Sequence, residues 1–173
     1  MTTRIGRGGW VRVWRSIASD TDFRALSVPA QWLYFTLLSS PATELCGRTE
    51  WHAGRLATRS ASADRATVVA AGMELSEGRF IIIDTGTGEA LIRTYVRHAE
   101  VLRNPFLAKS VRAGYERLMS DRLRGVLVWE LRRMHVDNPT LHWGSLVDVL
   151  GMDAIDPGDL HSMFDSGTDP DDS

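Results

Sequence analysis

Residues 56–75 read LATRSASADRATVVAAGMEL. Leu56 and Ala57 close an apolar face on a helix predicted to run from Trp51 to about Arg59. Ser60-Ala61-Ser62 breaks that helix, because small hydroxyl residues compete with the helix for backbone hydrogen bonds. Ala61 lies in the turn, where a bulky side chain would hold two helices apart. Ser62 is a suitable N-cap for a second helix reaching about Ser76. Val68, Val69, Gly72 and Leu75 recur at helical spacing and should face the core, and Gly78 ends the helix.

Working outward, the period then changes from 3.6 to 2. Arg79 to Ile83 is strand material, Thr85-Gly86-Thr87-Gly88 is turn chemistry, and Glu89 to about Val96 is the returning strand. On the other side, Ser27-Val28-Pro29 opens a strong helix with a capping serine and a proline in its first turn. Trp32, Leu33, Phe35, Leu37 and Leu38 make it apolar nearly all round, so it is read as a buried central helix that Pro41 stops. Residues 42–50 read as a loop or a short strand, and Trp10, Arg12 and Trp14 as weak strand patterning before a short acidic turn. Helix, helix, tight break, helix and hairpin in this order predict a winged helix-turn-helix. The expected fold class is mainly α with a small β-hairpin.

Downstream, Asn104-Pro105 restarts helix, with Leu107, Val111, Tyr115 and Leu118 along one face and Lys109, Arg112 and Arg117 elsewhere. Ser120-Asp121 caps another, with Leu123, Leu127, Leu131 and Met134 inward and Arg122, Arg124, Arg132 and Arg133 exposed. That apolar stripe is longer than one small domain needs, so these four residues are expected to form a homodimer interface. Asn138-Pro139 ends the helix, and Leu141, Leu146, Val149 and Leu150 mark a short amphipathic helix within 140–152. From Asp153 the chain is acidic and rich in Gly, Pro and Ser, a composition that predicts disorder. The expected organisation is a winged helix-turn-helix domain over 1–99, a helical extension over 104–152 and an acidic tail over 153–173.

The chain has 173 residues, 43% of them hydrophobic, enough to bury a real core. The net charge of −2 conceals a segregation of sign: residues 1–135 carry every Lys and Arg and sum to +7, while 136–173 sum to −9. Nineteen of the twenty basic residues are arginine, a planar fork suited to phosphate and guanine; GC-rich coding also favours Arg over Lys. No apolar run has the length of a membrane span, and the first residues lack the apolar stretch of a signal peptide. The lone Cys46 has no partner for an internal disulfide. A cytoplasmic protein is therefore expected. The histidines and Cys46 show no metal-ligand spacing, TGTG lacks the remainder of a nucleotide-binding loop, and no Ser/His/Asp order or carboxylate pair stands out. No catalytic activity, metal or cofactor is expected.

Three stretches carry a resemblance to a known family: VRVWRSIASDTDFRALSVPAQWLYFTLLSS, the helix-turn-helix itself and LIRTYVRHAEVLRNP. SDRLRGVLVWELRRM also looks like the extension that follows the domain in phage helix-turn-helix DNA-binding proteins. Over about residues 8–135 the chain resembles the winged-helix N-terminal domains of phage replication initiators and replisome organisers, especially those of actinobacterial phages. The resemblance implies double-stranded DNA binding in replication initiation or transcriptional regulation. It places the protein in the host bacterial cytoplasm, at the nucleoid, alongside replication or transcription proteins of the host.

In such a protein the second helix of the motif enters the major groove. Arg65 and Thr67 are then the candidates for base contact. Arg55 and Arg59, spaced i, i+4, are candidates for phosphate, and Ser60 and Ser62 either donate to phosphate or cap. The wing supplies Arg79, Thr85, Thr87 and Arg93. Asp84 and Glu89 flank a wing tip that has no base of its own, and Asp64 beside Arg65 would repel phosphate unless it caps the helix. Trp32 and Trp129 are read as packing residues, His98 as a structural histidine, and Trp10, Trp14 and Trp143 as core or interface. The alanine-rich reading helix, the acid-flanked wing and the acidic tail also fit a protein–protein adaptor that keeps a winged-helix scaffold without DNA binding.

Overall fold

The computed structural model describes residue 13, residues 15–97 and residues 101–160. Trp10, Arg12, Trp14, His98 and the tail residues 161–173 lie outside the described residues. After a 3-10 turn at Arg15–Ser19, the elements are α1 (Thr21–Ala25), α2 (Val28–Leu38), β1 (Arg48–Glu50), α3 (Ala53–Ala57), α4 (Arg65–Glu77), β2 (Ile81–Asp84) and β3 (Glu89–Ile92). Then follow α5 (Pro105–Arg117), α6 (Asp121–Asp137) and, after a 3-10 turn at Gly144–Leu146, α7 (Val147–Leu150). The molecule is mainly helical with one small antiparallel sheet.

Local chemistry explains most boundaries. Asp20 caps α1 by accepting from the amides of Asp22 and Phe23, and the Ser27 hydroxyl caps α2 at Ala30, with Pro29 in the first turn. Asn104 caps α5 and Ser120 caps α6, as their positions predict. The second helix of the central pair starts later than expected. Its cap is Asp64, not Ser62, and Ser62 instead meets the Ser60 hydroxyl at 3.1 Å in the turn. The first helix of the pair is short, ending at Ala57, so Arg59 sits in the turn and does not share a helical face with Arg55.

The sheet has three strands in the order β1-β3-β2. The stretch read as loop or strand therefore contains a strand, which pairs Arg48 with Leu91, Thr49 with Ala90 and Glu50 with Glu89. The hairpin pairs Ile81 with Ile92 and Ile83 with Ala90, and all four side chains enter a core with α1, α2 and α4. Phe23 meets Tyr34, Phe35 and Phe80 edge-on in that core. Ile82 and Leu91, one step along the strands, enter a second core with α5, α6 and α7. Both faces of the sheet are thus buried, one under α1, α2 and α4 and the other under the helices that follow. The sheet is the wall the two cores share.

Two further expectations change here. Leu123, Leu127 and Leu131 are 0% exposed and Met134 is 4% exposed, all within the chain's own second core. The stripe proposed for dimerisation is consumed by intramolecular packing, and a second copy cannot reach it. Of the acidic stretch expected to be disordered from Asp153, residues 153–160 are described and lie against the body. Arg132 donates to the carbonyls of Leu150 and Met152, and the Ile155 amide donates to the carbonyl of Gly125 at 3.0 Å. Gly125 makes this docking feasible: a β-carbon there would stand 2.5 Å from Ile155 Cγ1.

Candidate functional site

Asp64 organises the N-terminal end of α4. Its Oδ1 accepts from both the amide and the hydroxyl of Thr67, each at 2.7 Å. The Thr67 hydroxyl and then its amide hold the Asp64 carboxyl below the usual carboxylate range. The hydroxyl of Thr67 is therefore turned back onto the cap and not outward. The carboxylate also stands over the helix end that would otherwise present amides to an anion.

Arg55, Arg59 and Arg65 are all exposed, on α3, the turn and the first residue of α4 respectively. Arg55 reaches Glu50 on β1 at 2.9 Å, with both side chains more than half exposed, so the pair is solvated and weak. Ser60 and Ser62 lie between these arginines. The outward positions Ala66 and Ala70 of α4 are bare, which leaves Arg65 as the long side chain of its first turn.

The hairpin tip lies beside the start of α3. Gly88, at φ +65°, accepts from the Trp51 amide, and a β-carbon there would be 3.5 Å from the His52 ring. Asp84 folds the tip by accepting from the amides of Gly86 and Thr87. Thr85 is exposed and Thr87 half-buried. Glu89 does not flank the tip as a surface charge. It is 1% exposed, and its carboxylate accepts from Arg48 Nε at 2.6 Å and from the amides of Met119 and Ser120 at 3.0 Å. It ties the tip end of the hairpin to the residues that lead into α6.

Arg79 and Arg93 lie at the other end of α4. They share the lining of a cavity of about 240 Å³ with Tyr34, Thr94, Asp20 and Asp22. Arg93 faces inward and meets the fully buried Glu130 at 3.1 Å, and Arg97 contacts the same carboxylate. The structure thus separates Arg79 and Arg93 from Arg55, Arg59 and Arg65. Burial, then the repulsion of Arg97, Arg133 and Arg79, lowers the Arg93 pKa, against the opposing pull of Glu130.

Sequence reasoning misses Glu130 and Arg97. A glutamate in the middle of an arginine-rich helix reads as surface, and its partners lie on a different element. Only the placement of Glu130 between Leu127 and Leu131 hints that it faces inward. Among the described residues no group of three or more His, Cys, Asp or Glu side chains is disposed to hold a metal. Cys46 is buried against Gly114, and burial raises its thiol pKa to about 11, which leaves it a packing residue. No described helix is long and apolar enough to cross a membrane. No protein-family model, no curated protein and no solved structure matches the chain.

Proposed function

We propose that the chain is a winged helix-turn-helix protein that binds double-stranded DNA without catalysis, with α3 and α4 as the reading pair and the β2–β3 hairpin as the wing. The observation that carries this reading is topological. Helix, strand, helix, helix, strand, strand, with sheet order β1-β3-β2, sets three exposed arginines of the α3–α4 turn at the end of the molecule where the hairpin tip also lies. Arg59 and Arg55 then meet phosphate, Arg65 meets a base edge, and Thr85 approaches the backbone from the wing. Arg93 has no part in this contact, because Glu130 holds it inside. A role in phage replication initiation or transcriptional regulation, with host replication or transcription proteins as partners, is the reading that the sequence resemblance supports.

Fluorescence anisotropy with selected duplex sequences tests this. Arg65→Ala should cost about 1–3 kcal/mol on the preferred sequence and relax the preference at one base pair. Arg59→Ala should weaken all duplexes alike and flatten the log–log salt dependence by roughly 0.9. Parent-like binding by both variants, with folding intact, would sink the assignment of the α3–α4 face. A second reading, an adaptor on the same scaffold, is favoured by one observation: the outward face of α4 offers Ala66 and Ala70, with Asp64 over its end. Absence of any salt-dependent duplex binding would select it.

A further inference from the structure

Four arginines gather at the pole away from the α3–α4 turn. Arg93 and Arg97 converge on Glu130 from the end of β3 and the turn after it. Arg133, one helical turn on from Glu130, lies over the Trp129 ring with its guanidinium carbon 4.6 Å from the centroid, and Arg97 approaches the same ring at 6.0 Å. Arg79 completes the group across the shared cavity. One buried carboxylate stands against four guanidinium groups. The ion pairs leave Arg93 Nε and Arg97 Nε and Nη2 buried without a well-formed hydrogen bond. Asp20 and Asp22 line the cavity beside Arg79 and Arg93, and their carboxylates offset charge at that end of the cluster. The uncompensated charge therefore lies toward Arg97 and Arg133.

The acidic end of the chain is led to this pole. Ile155 docks at Gly125, Pro157 is buried, and a β-carbon at Gly158 would be 3.7 Å from Arg79 Nη1. Leu160 then packs against the second core. Beyond it the sequence continues for thirteen residues, HSMFDSGTDPDDS, with four aspartates and no Lys or Arg. At roughly 3.3–3.6 Å per extended residue, that length spans on the order of 40 Å, more than the cluster requires.

We propose that Arg79, Arg93, Arg97 and Arg133 form a docking site for an aspartate-rich peptide, and that its occupant is the chain's own Asp165–Asp172 segment. Tethering at Leu160 gives the aspartates an effective concentration on the order of 1 mM at the site, so weak individual ion pairs suffice. The ligand class is a carboxylate-rich strand, and the contact is independent of DNA binding at the opposite pole. Acidic segments of other proteins compete for the same arginines.

A nitroxide at Ser173→Cys in the full chain tests the site; Cys46 is buried and escapes labelling. At about 20 mM salt the label should broaden the Trp129 indole N–H and the Nε–H signals of the four arginines several-fold more than amides of α2. About 300 mM salt should relieve the broadening. Replacing Asp165, Asp169, Asp171 and Asp172 with Asn should abolish it, and Arg133→Ala, an exposed change, should reduce it. Broadening centred on Arg55, Arg59 and Arg65, broadening spread evenly, or none at all would each overturn the proposal. So would a duplex that shifts the four arginine signals in a chain showing no tail broadening, which would assign the cluster to nucleic-acid phosphate.

Discussion

Two glutamates that look alike in sequence hold two different joints. Glu130 has no exposed surface and serves Arg93 and Arg97. Deleting one member of a buried ion group leaves the others desolvated, so Glu130→Ala should cost about 3–5 kcal/mol in urea-melt stability. A loss under about 1 kcal/mol would mean that the arginines turn to solvent at little cost. Glu44, only 19% exposed, accepts from Arg48 and Arg117, joining β1 to the end of α5. Burial alone would raise its pKa; the hydrogen bonds and charges of Arg117 and then Arg48 overcome this and lower it. A carboxyl whose folded pKa is depressed binds fewer protons folded than unfolded. Its stabilisation is therefore complete above the unfolded value of about 4.3 and disappears as pH falls through the folded one. Glu44→Gln should lower stability by about 1 kcal/mol at neutral pH, and the gap to the parent should close in acid. A gap that persists to the lowest pH at which both chains fold would argue that packing and not charge is at work.

At the scale of elements, α4 shows how a cap serves two masters. Asp64 satisfies the Thr67 amide and places a negative charge at the end of the proposed reading helix. Asp64→Ala should therefore lower the melting temperature and raise duplex affinity, most strongly at low salt. A fall in both would show that the cap's ordering of α4 outweighs its charge. Much of this level is legible in the sequence. Ser27 with Pro29, Asn104 with Pro105, and Ser120 are caps with a stereochemical reason, and the change of period after Gly78 marks the hairpin. What escapes is short or remote. β1 is three residues long and shows no period, so only its pairing with β3 reveals it. Ser62 and Asp64 are both good caps, and the choice between them rests on where the turn closes. Arg93 carries the signature of a wing arginine until α6 brings Glu130 to it from 37 positions away.

At the scale of the molecule, the sheet decides what can stand alone. Ile82 and Leu91 point away from the α2–α4 core and are covered by the later helices. A chain ending after residue 99 would present them, with Val96, to water. It should fail to show a cooperative urea transition, whereas the full chain should unfold in one step. A folded 1–99 fragment would refute the shared-wall description and restore two independent domains. The apolar stripe of α6 belongs to the same argument: periodicity identifies an inward face, but not whose interior it faces. A dimer that reads two half-sites would have to use a surface other than Leu123, Leu127, Leu131 and Met134.

Glu89 gives that shared wall a consequence in time. Its carboxylate receives the amides of Met119 and Ser120, about thirty positions later, at the threshold of α6. These amides gain their acceptor only once the hairpin has closed and Arg48 on β1 has come into place. The longest helix, capped by its own Ser120, is thus docked through a carboxylate that the sheet positions. Its anchoring rests on contacts distant in sequence, so Glu89→Gln should slow refolding, as loop closure across the hairpin and not helix propensity would limit the rate.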